Sequence, residues 1–277
     1  MKAQWENLVM SSMMLYIDNK VCNNGQGFVN HAGQFHKTKK QFNQYHSYSL
    51  PFKQIIADSS VPNANIMQGV YINGNFASVG EAGLEGILHH KGTLLFSEDH
   101  DADTITGNFA VKDFNVYITT KPEEDLLFKT APQVNPKLPQ VSEGLDPNTE
   151  AYPAIFLKNM GGQDEPLGFG GMNDTVSHIR AIALSDSAFN LDAVCGILKN
   201  SFSQDLPIIE SLPFNALGAF TNVAYDYDSI VSQITRKAQI WRTTVSKVSP
   251  QRALDPNVNL DVFAALIDFE IHAFMAN

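Results

Sequence analysis

Three aspartates, Asp99, Asp101 and Asp103, alternate along the chain with the spacing that opens an EF-hand calcium loop. Such a loop also needs glycine at its sixth position and glutamate at its twelfth, where carboxylate oxygens complete the coordination of the ion. This sequence has Thr104 and Ala110 at those two positions. The aspartates therefore predict a solvated turn between strands rather than a calcium site.

Histidines near this turn are the next candidates for metal binding. His89, His90 and His100 could converge on the aspartates, but adjacent histidines on a strand point to opposite faces and do not readily bind one metal ion. The sequence predicts no metal centre.

A glycine-rich segment at residues 161–171 resembles a phosphate-binding loop only in composition. It lacks the Gly-Lys-Ser/Thr ending of a P-loop, and it leads into a predicted strand rather than a helix N-terminus. Ser185, Ser187 and His178 lack a nucleophile-elbow pattern, and the two serines are better explained as helix caps. We therefore expect no catalytic residues and no cofactor, and we predict that the protein is not an enzyme.

Composition describes a folded, acidic chain of 277 residues, with 44% hydrophobic residues, 17% charged residues and a net charge of −10. A chain this acidic is a poor candidate for general binding of nucleic acid, which depends on Lys and Arg contacts to phosphates. Two cysteines, Cys22 and Cys195, are too few for a disulfide framework and indicate a reducing compartment. No secretory signal or apolar run long enough to cross a bilayer is evident, so synthesis in the cytoplasm and no membrane contact are expected.

Basic residues are segregated from acidic ones along the chain. Residues 19–57 contain five lysines and no acid, and residues 229–254 contain five basic residues and no acid. One interpretation is that these are solvated faces; the other is that patches of opposite sign dock between copies of the chain. On the second interpretation, the candidate inter-subunit contacts are Phe28, Phe35, Phe42, Lys37, Lys39, Lys40, Arg236, Lys237 and Arg242.

The pattern of apolar residues in the first half predicts a helix at residues 4–21, followed by an arm or loop at 23–48. Asn73-Gly74 between two apolar runs is a strong hairpin signal. Further strands are predicted at 93–96 and 109–119, giving a small antiparallel β unit.

Five prolines between residues 131 and 153 predict a linker or strap, which divides the chain into units 1–130 and 154–277. The second unit is predicted to contain strands at 154–158, 176–184 and 238–248, with a helix at 190–202. A final strand is predicted at 258–274, with a β-bulge at Ala264-Ala265 and a free edge for pairing with a neighbour. The expected fold is α+β: an N-terminal helix and an antiparallel β unit, then a mixed or antiparallel sheet with a helix on one face.

Several short segments, taken in order, resemble virion structural proteins of tailed bacteriophages, in particular the tail-terminator or head–tail connector (neck) class. The resemblance covers most of the chain and depends on layout and short phrases. The segments are residues 5–21, 25–30 (GQGFVN), 51–54 (PFKQ), 69–74 (GVYING), 111–117 (VKDFNVY), 152–156 (YPAIF), 180–202 and 267–271 (IDFEI).

The resemblance implies a homo-oligomeric ring, a hexamer, that terminates the tail tube and contacts tube, sheath and neck proteins in the virion after assembly in the host cytoplasm. DNA would be present only as material passing through the channel. One alternative is another virion component of the neck, tube, sheath or baseplate. A second alternative is an enzyme or a carbohydrate-binding β module, for which Tyr225, Tyr227 and Trp241 are the nearest candidates for an aromatic platform.

Overall fold

The computed structural model describes residues 4–38, 43–129, 133–134, 150–166, 172–210, 219–221, 223–248 and 262–276. Within these ranges the chain has an N-terminal helix, a nearly closed antiparallel sheet, and a second, mixed sheet with a helix on one face. The predicted α+β fold class is confirmed, with strands predominating.

Seven strands from the first half form the first sheet. They are β1 (Phe28–Lys37), β2 (His46–Ser49), β3 (Gly69–Ile72), β4 (Asn75–Ser78), β5 (Leu84–Leu88), β6 (Thr93–Phe96) and β7 (Ile105–Lys112). Their spatial order is β4-β3-β7-β1-β2-β6-β5 and all neighbours are antiparallel. A short 3-10 turn, His89–Lys91, connects β5 to β6. The core of this sheet is aromatic, since the ring of the fully buried Phe109 lies 6.0 Å from that of Phe35 and 6.1 Å from that of Phe52.

The predicted hairpin is confirmed at the β3–β4 connection. Asn73 and Gly74 both have positive φ angles, 50° and 85°. A two-residue turn with positive φ at both positions matches the right-handed twist of the flanking strands, and Asn-Gly adopts it at little cost.

The prediction of an irregular arm at residues 23–48 is wrong for the residues that the structure describes. Residues 28–37 form β1, which pairs with β7 from Phe28↔Lys112 to Phe35↔Ile105. The strand is rich in Gly, Asn, Gln and His because most of its side chains are exposed or only partly buried. Main-chain hydrogen bonds to β7, rather than an alternation of apolar side chains, hold β1 in the sheet. Its polar composition therefore did not predict a strand.

Six strands form the second sheet. They are β8 (Asn115–Ile118), β11 (Ala154–Pro166), β12 (Met172–Ser185), β13 (Asp205–Pro207), β14 (Lys237–Val248) and β15 (Phe263–Ala276), in the order β13-β14-β15-β12-β11-β8. Only the β11–β8 pair is parallel. Two short parallel strands, β9 (Gln133–Val134) and β10 (Ala151–Tyr152), pair with each other. The rest of the predicted strap at 131–149 lies outside the described residues.

Helices cover one face of the second sheet. They are α1 (Trp5–Asn19), which continues into a π-helical turn at Lys20–Asn24, and α2 (Ala188–Lys199), with α3 (Tyr227–Gln233) packed on the same core. A second π-helical turn, Asp125–Lys129, lies on the opposite face, where Leu126 packs with Phe156 and Ile182. Helix α1 is buried on most sides, as its apolar residues predict, because it packs on the second sheet while Cys22, just beyond it, contacts the apolar cluster of Ile56 and Ala110. Helix α2 buries Leu191, Val194 and Leu198 on the same core.

Several predicted strand boundaries are corrected. The single strand expected at 109–119 is split at residues 113–114, so that β7 belongs to the first sheet and β8 to the second. Strand β11 continues through the glycines expected to be a loop as far as Pro166, and the rest of that loop, 167–171, lies outside the described residues. The described β15 has no bulge at Ala264-Ala265; the register of the second sheet shifts instead in β14 at Trp241 and in β11 between Asn159 and Gly162. Strand β15 is central, paired on both sides, because β14 and β12 are both long enough to flank it.

Candidate interaction surface

The face of the second sheet opposite α1 and α2, here called the outer face, carries a group of charged side chains beside the apolar cluster around Phe156 and Ile182. Strand β15 has the alternation that the sequence predicts. Ile267, Phe269 and Ile271 are buried towards the helices, whereas Asp268 and Glu270 lie on the outer face. The period of two along one strand therefore separates the core from the charged surface.

Arg180 is the centre of an ion-pair network on this face. Its Nε and Nη2 donate to the two carboxylate oxygens of Asp268 at 2.6 and 3.0 Å, and its Nη1 donates to Glu123 Oε1 at 3.0 Å. These hydrogen bonds, with Asp268 first, raise the pKa of Arg180. The fork geometry of the guanidinium fixes β12 to β15 and to the chain that enters the π-helical turn at 125–129.

A histidine lies between two carboxylates at the neighbouring position. His272 Nδ1 is 2.7 Å from Asp174 Oδ2, and its Nε2 is 3.0 Å from Glu270 Oε1. Burial alone would lower the pKa of His272, but the two hydrogen bonds outweigh burial and raise it. The exposed Trp241 ring, placed here by the β14 bulge, lies 5.4 Å from the imidazole. Protonation of His272 therefore neutralises part of the acidic charge at this end of the face.

An open groove of about 480 Å³ crosses the outer face between these two groups. It combines cationic and anionic side chains with one exposed methionine, and it lies on the face of the sheet opposite α1 and α2. A surface of this kind suits contact with a protein partner that offers charges of both signs. The groove is lined by Met160, His178, Arg180, Arg242, Thr244, Asp268 and Glu270.

Two strands flanking this face have unpaired edges. Strand β13 covers β14 only at residues 237–239, and beyond Ile240, which bonds to Ser203 and Gln204, no described residue makes a main-chain hydrogen bond to the outer edge of 242–248. On the other side, β8 covers β11 only at 154–157, and within the described chain residues 158–166 pair with β12 alone. Unpaired strand edges are templates for another strand.

The two free edges carry opposite charges. Arg242 and Lys247 are exposed on the β14 edge, whereas Asp164 and Glu165 are exposed on the β11 edge. Lys247 also forms an ion pair with Asp192 of α2 at 2.6 Å, while Arg242 lines the groove. The sheet therefore has a basic edge and an acidic edge on opposite sides.

Two of the predicted contact residues of the C-terminal basic segment interact with groups of their own chain. Lys237 forms an ion pair with Asp205 at 3.0 Å, and Arg236 lies 4.9 Å over the Trp5 ring. Arg236 also approaches Glu210 at 3.6 Å. Arg242 is the member of this group that lies on the groove and the free edge.

The predicted contacts of the N-terminal basic segment are placed differently. Phe35 is buried in the first sheet against Phe109, so the prediction that it contacts a neighbouring copy is wrong. Phe28 is partly buried against the cluster around Ile56, and Lys37 forms an ion pair with Asp99 at 2.7 Å. Phe42, Lys39 and Lys40 lie outside the described residues.

Residues 97–104 form a turn between β6 and β7, as the sequence predicts for this segment. Asp99 accepts hydrogen bonds from Lys37 and Tyr48, and Asp103 Oδ2 lies 2.7 Å from His100 Nδ1. These side chains bind groups of their own chain. Among the described residues, no group of three or more His, Cys, Asp and Glu side chains is arranged to hold a metal ion.

The aromatic platform considered from the sequence is not formed by its three candidates. Tyr225 and Tyr227 are buried, whereas Trp241 is 53% exposed. Sequence reasoning missed the pairing of His272 with Asp174, because those residues are 98 positions apart and meet only through the β12–β15 register. The sequence analysis also missed the acidic edge at Asp164 and Glu165. The sequence offered one indication of it, because these acids follow the apolar residues that begin strand β11.

No protein-family model matches the chain and no curated protein matches it. In the described part of the chain, no helix is long and apolar enough to cross a bilayer.

Proposed function

We propose that this protein is a structural component of a tailed-bacteriophage virion, which assembles head to tail into a ring that ends the tail tube and joins it to the neck. The observation that carries the proposal is the second sheet, with a basic free edge on β14 and an acidic free edge on β11. When one patch binds a different patch on the next copy, a growing chain of copies has one unused patch of each kind, one at each end. The ring closes when these two patches bind each other.

Charge favours this head-to-tail arrangement over a two-fold dimer. Pairing β14 with β14 would bring Arg242 and Lys247 towards their own copies, and pairing β11 with β11 would do the same for Asp164 and Glu165. Like charges placed opposite each other destabilise strand pairing, and opposite charges stabilise it. The unlike edges are therefore the favourable partners.

The position in the virion comes from the resemblance of the sequence to the tail-terminator and connector class. That resemblance also supports a six-membered ring, contacts to tube, sheath and neck proteins, and a channel through which DNA passes. A neck or baseplate ring would use the same edges, so the position must be determined on the particle. The groove between Arg180 and Glu270 offers a contact surface to the next ring along the axis.

The experiment combines purified protein with purified tail tubes. We expect rings in negative-stain images of the protein alone, and density at one end of the tubes after mixing. Density at the baseplate end, or along the whole tube, would instead indicate a baseplate protein or a tube- or sheath-associated protein. Protein that stays monomeric at high concentration and does not bind tubes would contradict the proposal.

A further inference from the structure

We infer that the free edge of β14 in one copy pairs antiparallel with the free edge of β11 in the next copy, with Arg242 beside Glu165. This inference rests on the proposed ring and names the contact that builds it. The partner is a second copy of this chain, because the two edges complement each other in charge, in strand direction and in side-chain facing.

Strand direction is set by the order of the sheet. Each of the neighbours β14, β15, β12 and β11 is antiparallel to the next. Strands β14 and β11 therefore run in opposite directions within one copy. A neighbour that continues the sheet presents its β11 antiparallel to β14, which is the arrangement with perpendicular, closely aligned hydrogen bonds.

Side-chain facing restricts the register. Arg242 and Thr244 lie on the outer face, where they line the groove. Glu165 and Gln163 lie on the same face, since their side chains bond to each other at 2.7 Å and Glu165 is opposite Asp174. A continuous sheet keeps each face on one side, so outer-face residues of β14 must be opposite outer-face residues of β11.

Charge then selects one register from this set. Placing Arg242 opposite Glu165 brings opposite charges together and puts Thr244 opposite Gln163 and Val245 opposite Gly162. A shift that moves Glu165 towards the start of β14 would place it against Ile240, which is buried towards the helices and whose main chain is already bonded to Ser203 and Gln204. The selected register uses only main-chain groups that are free within the described chain.

This register staggers each copy along the strands. Within one copy, Thr244 is level with Lys158 through Asp268 and Arg180. Across the proposed contact, Thr244 is level with Gln163, which corresponds to a shift from Arg180 to Val176 on β12, or about 13 Å at the usual rise per residue. A constant stagger tilts strands relative to the axis, and closing a sheet requires such a stagger.

A pair of cysteines tests the contact. Thr244→Cys and Gln163→Cys are combined in one chain and the protein is oxidised after assembly. Within a copy these positions are separated by β15 and β12 across the sheet and by about 13 Å along the strands, so they are about 19 Å apart and cannot form an intrachain disulfide. The native Cys22 and Cys195 are buried, and burial raises the pKa of both thiols, so they contribute little background.

We expect a ladder of disulfide-linked multimers on a non-reducing gel that ends at the ring number. The matched control is Ser246→Cys with Gln163→Cys, which lies on the same face but two residues out of register; it should give much less ladder. Each single variant should give at most dimers.

A charge exchange provides an independent measurement by light scattering. R242E should raise the concentration needed for half-assembly by about tenfold, the effect of a loss of about 1.4 kcal/mol, and the double variant R242E/E165R should restore assembly. Rings that form without the 244–163 cross-link, or with equal cross-linking in the control, would overturn this contact and leave the ring proposal in place. Protein that is monomeric in all of these experiments would overturn both the ring proposal and the β14–β11 contact. If tail tubes are added and the cysteine variant cross-links only to a tube protein, the contact between copies is overturned and the free edge pairs with a strand of the tube protein.

Discussion

Lys112 and Asp18 form a buried ion pair that joins the two layers of the molecule. Lys112 Nζ lies 2.6 Å from Asp18 Oδ1, and both side chains are almost fully enclosed. Lys112 ends β7 of the first sheet, whereas Asp18 belongs to α1, which packs on the second. The Tyr225 hydroxyl lies 3.5 Å from the other Asp18 oxygen. A polar contact thus fixes where the two apolar cores meet.

Removing one partner of this pair should strongly destabilise the protein. Lys112→Met leaves the Asp18 carboxylate buried without its cation, and breaking a buried pair in this way costs about 3–5 kcal/mol. We expect that loss in the free energy of unfolding measured with urea. The double variant Lys112→Met with Asp18→Leu should be less destabilised than the single one, because no uncompensated charge remains.

The exposed pair of Lys37 and Asp99 provides the control, since its 2.7 Å contact is at the surface. Lys37→Met should leave the unfolding midpoint nearly unchanged. If Lys112→Met lowered the free energy of unfolding as little as Lys37→Met, the buried ion pair between Lys112 and Asp18 would not exist as described.

The aromatic core of the first sheet should depend strongly on Phe109. Phe109→Ala removes a ring that is 0% exposed and leaves a cavity against Phe35 and Phe52, at a cost of about 3–5 kcal/mol. Phe76→Ala, at a ring that is 56% exposed, is the matched control and should cost much less. Equal losses in a thermal or urea unfolding experiment would contradict the core assignment.

His272 should make stability depend on pH. Its folded pKa is raised above the ordinary value of 6.5, so the stabilisation that it contributes is fully present below about pH 6.5 and is lost as pH rises through the folded pKa. His272→Gln should therefore destabilise the protein more at pH 5.5 than at pH 8.5. Unfolding curves at the two pH values test this, and a difference that does not vary with pH would show that the carboxylates do not hold a charged imidazole.

Local sequence signals predicted the elements whose patterns are strong. The Asn73-Gly74 turn, the facing of Ile267, Phe269 and Ile271, and the buried α1 all follow from turn chemistry or from apolar period. These features are encoded within a few residues. The α+β fold class could be inferred from their order along the chain.

Long-range pairing explains what the sequence did not reveal. Strand β1 is polar and is held by β7, about 80 residues away, so no local pattern marks it as a strand. The split of 109–119 between two sheets depends on what each half meets in space. At the candidate surface, Arg242 was identified from its charge, but its acidic complement on β11 emerged only when the free edges were located.

The Arg180 fork should not be replaceable by another cation. Arg180→Lys keeps the positive charge but cannot bond to both oxygens of Asp268 and to Glu123 together. We expect a loss of about 1–3 kcal/mol in unfolding free energy. Faster cleavage by a glutamate-specific protease after Glu124 should accompany it, because Glu123 no longer ties that segment to the sheet. Unchanged stability and cleavage would indicate that charge alone is sufficient.

The mass of the assembled protein in solution tests the ring most directly. Native mass spectrometry over a range of concentrations should show one closed species at an integral multiple of the 30.5 kDa chain, with six copies expected. The R242E protein should shift towards single chains under the same conditions. A 30.5 kDa monomer at every concentration of the unmodified protein would contradict assembly through the two strand edges.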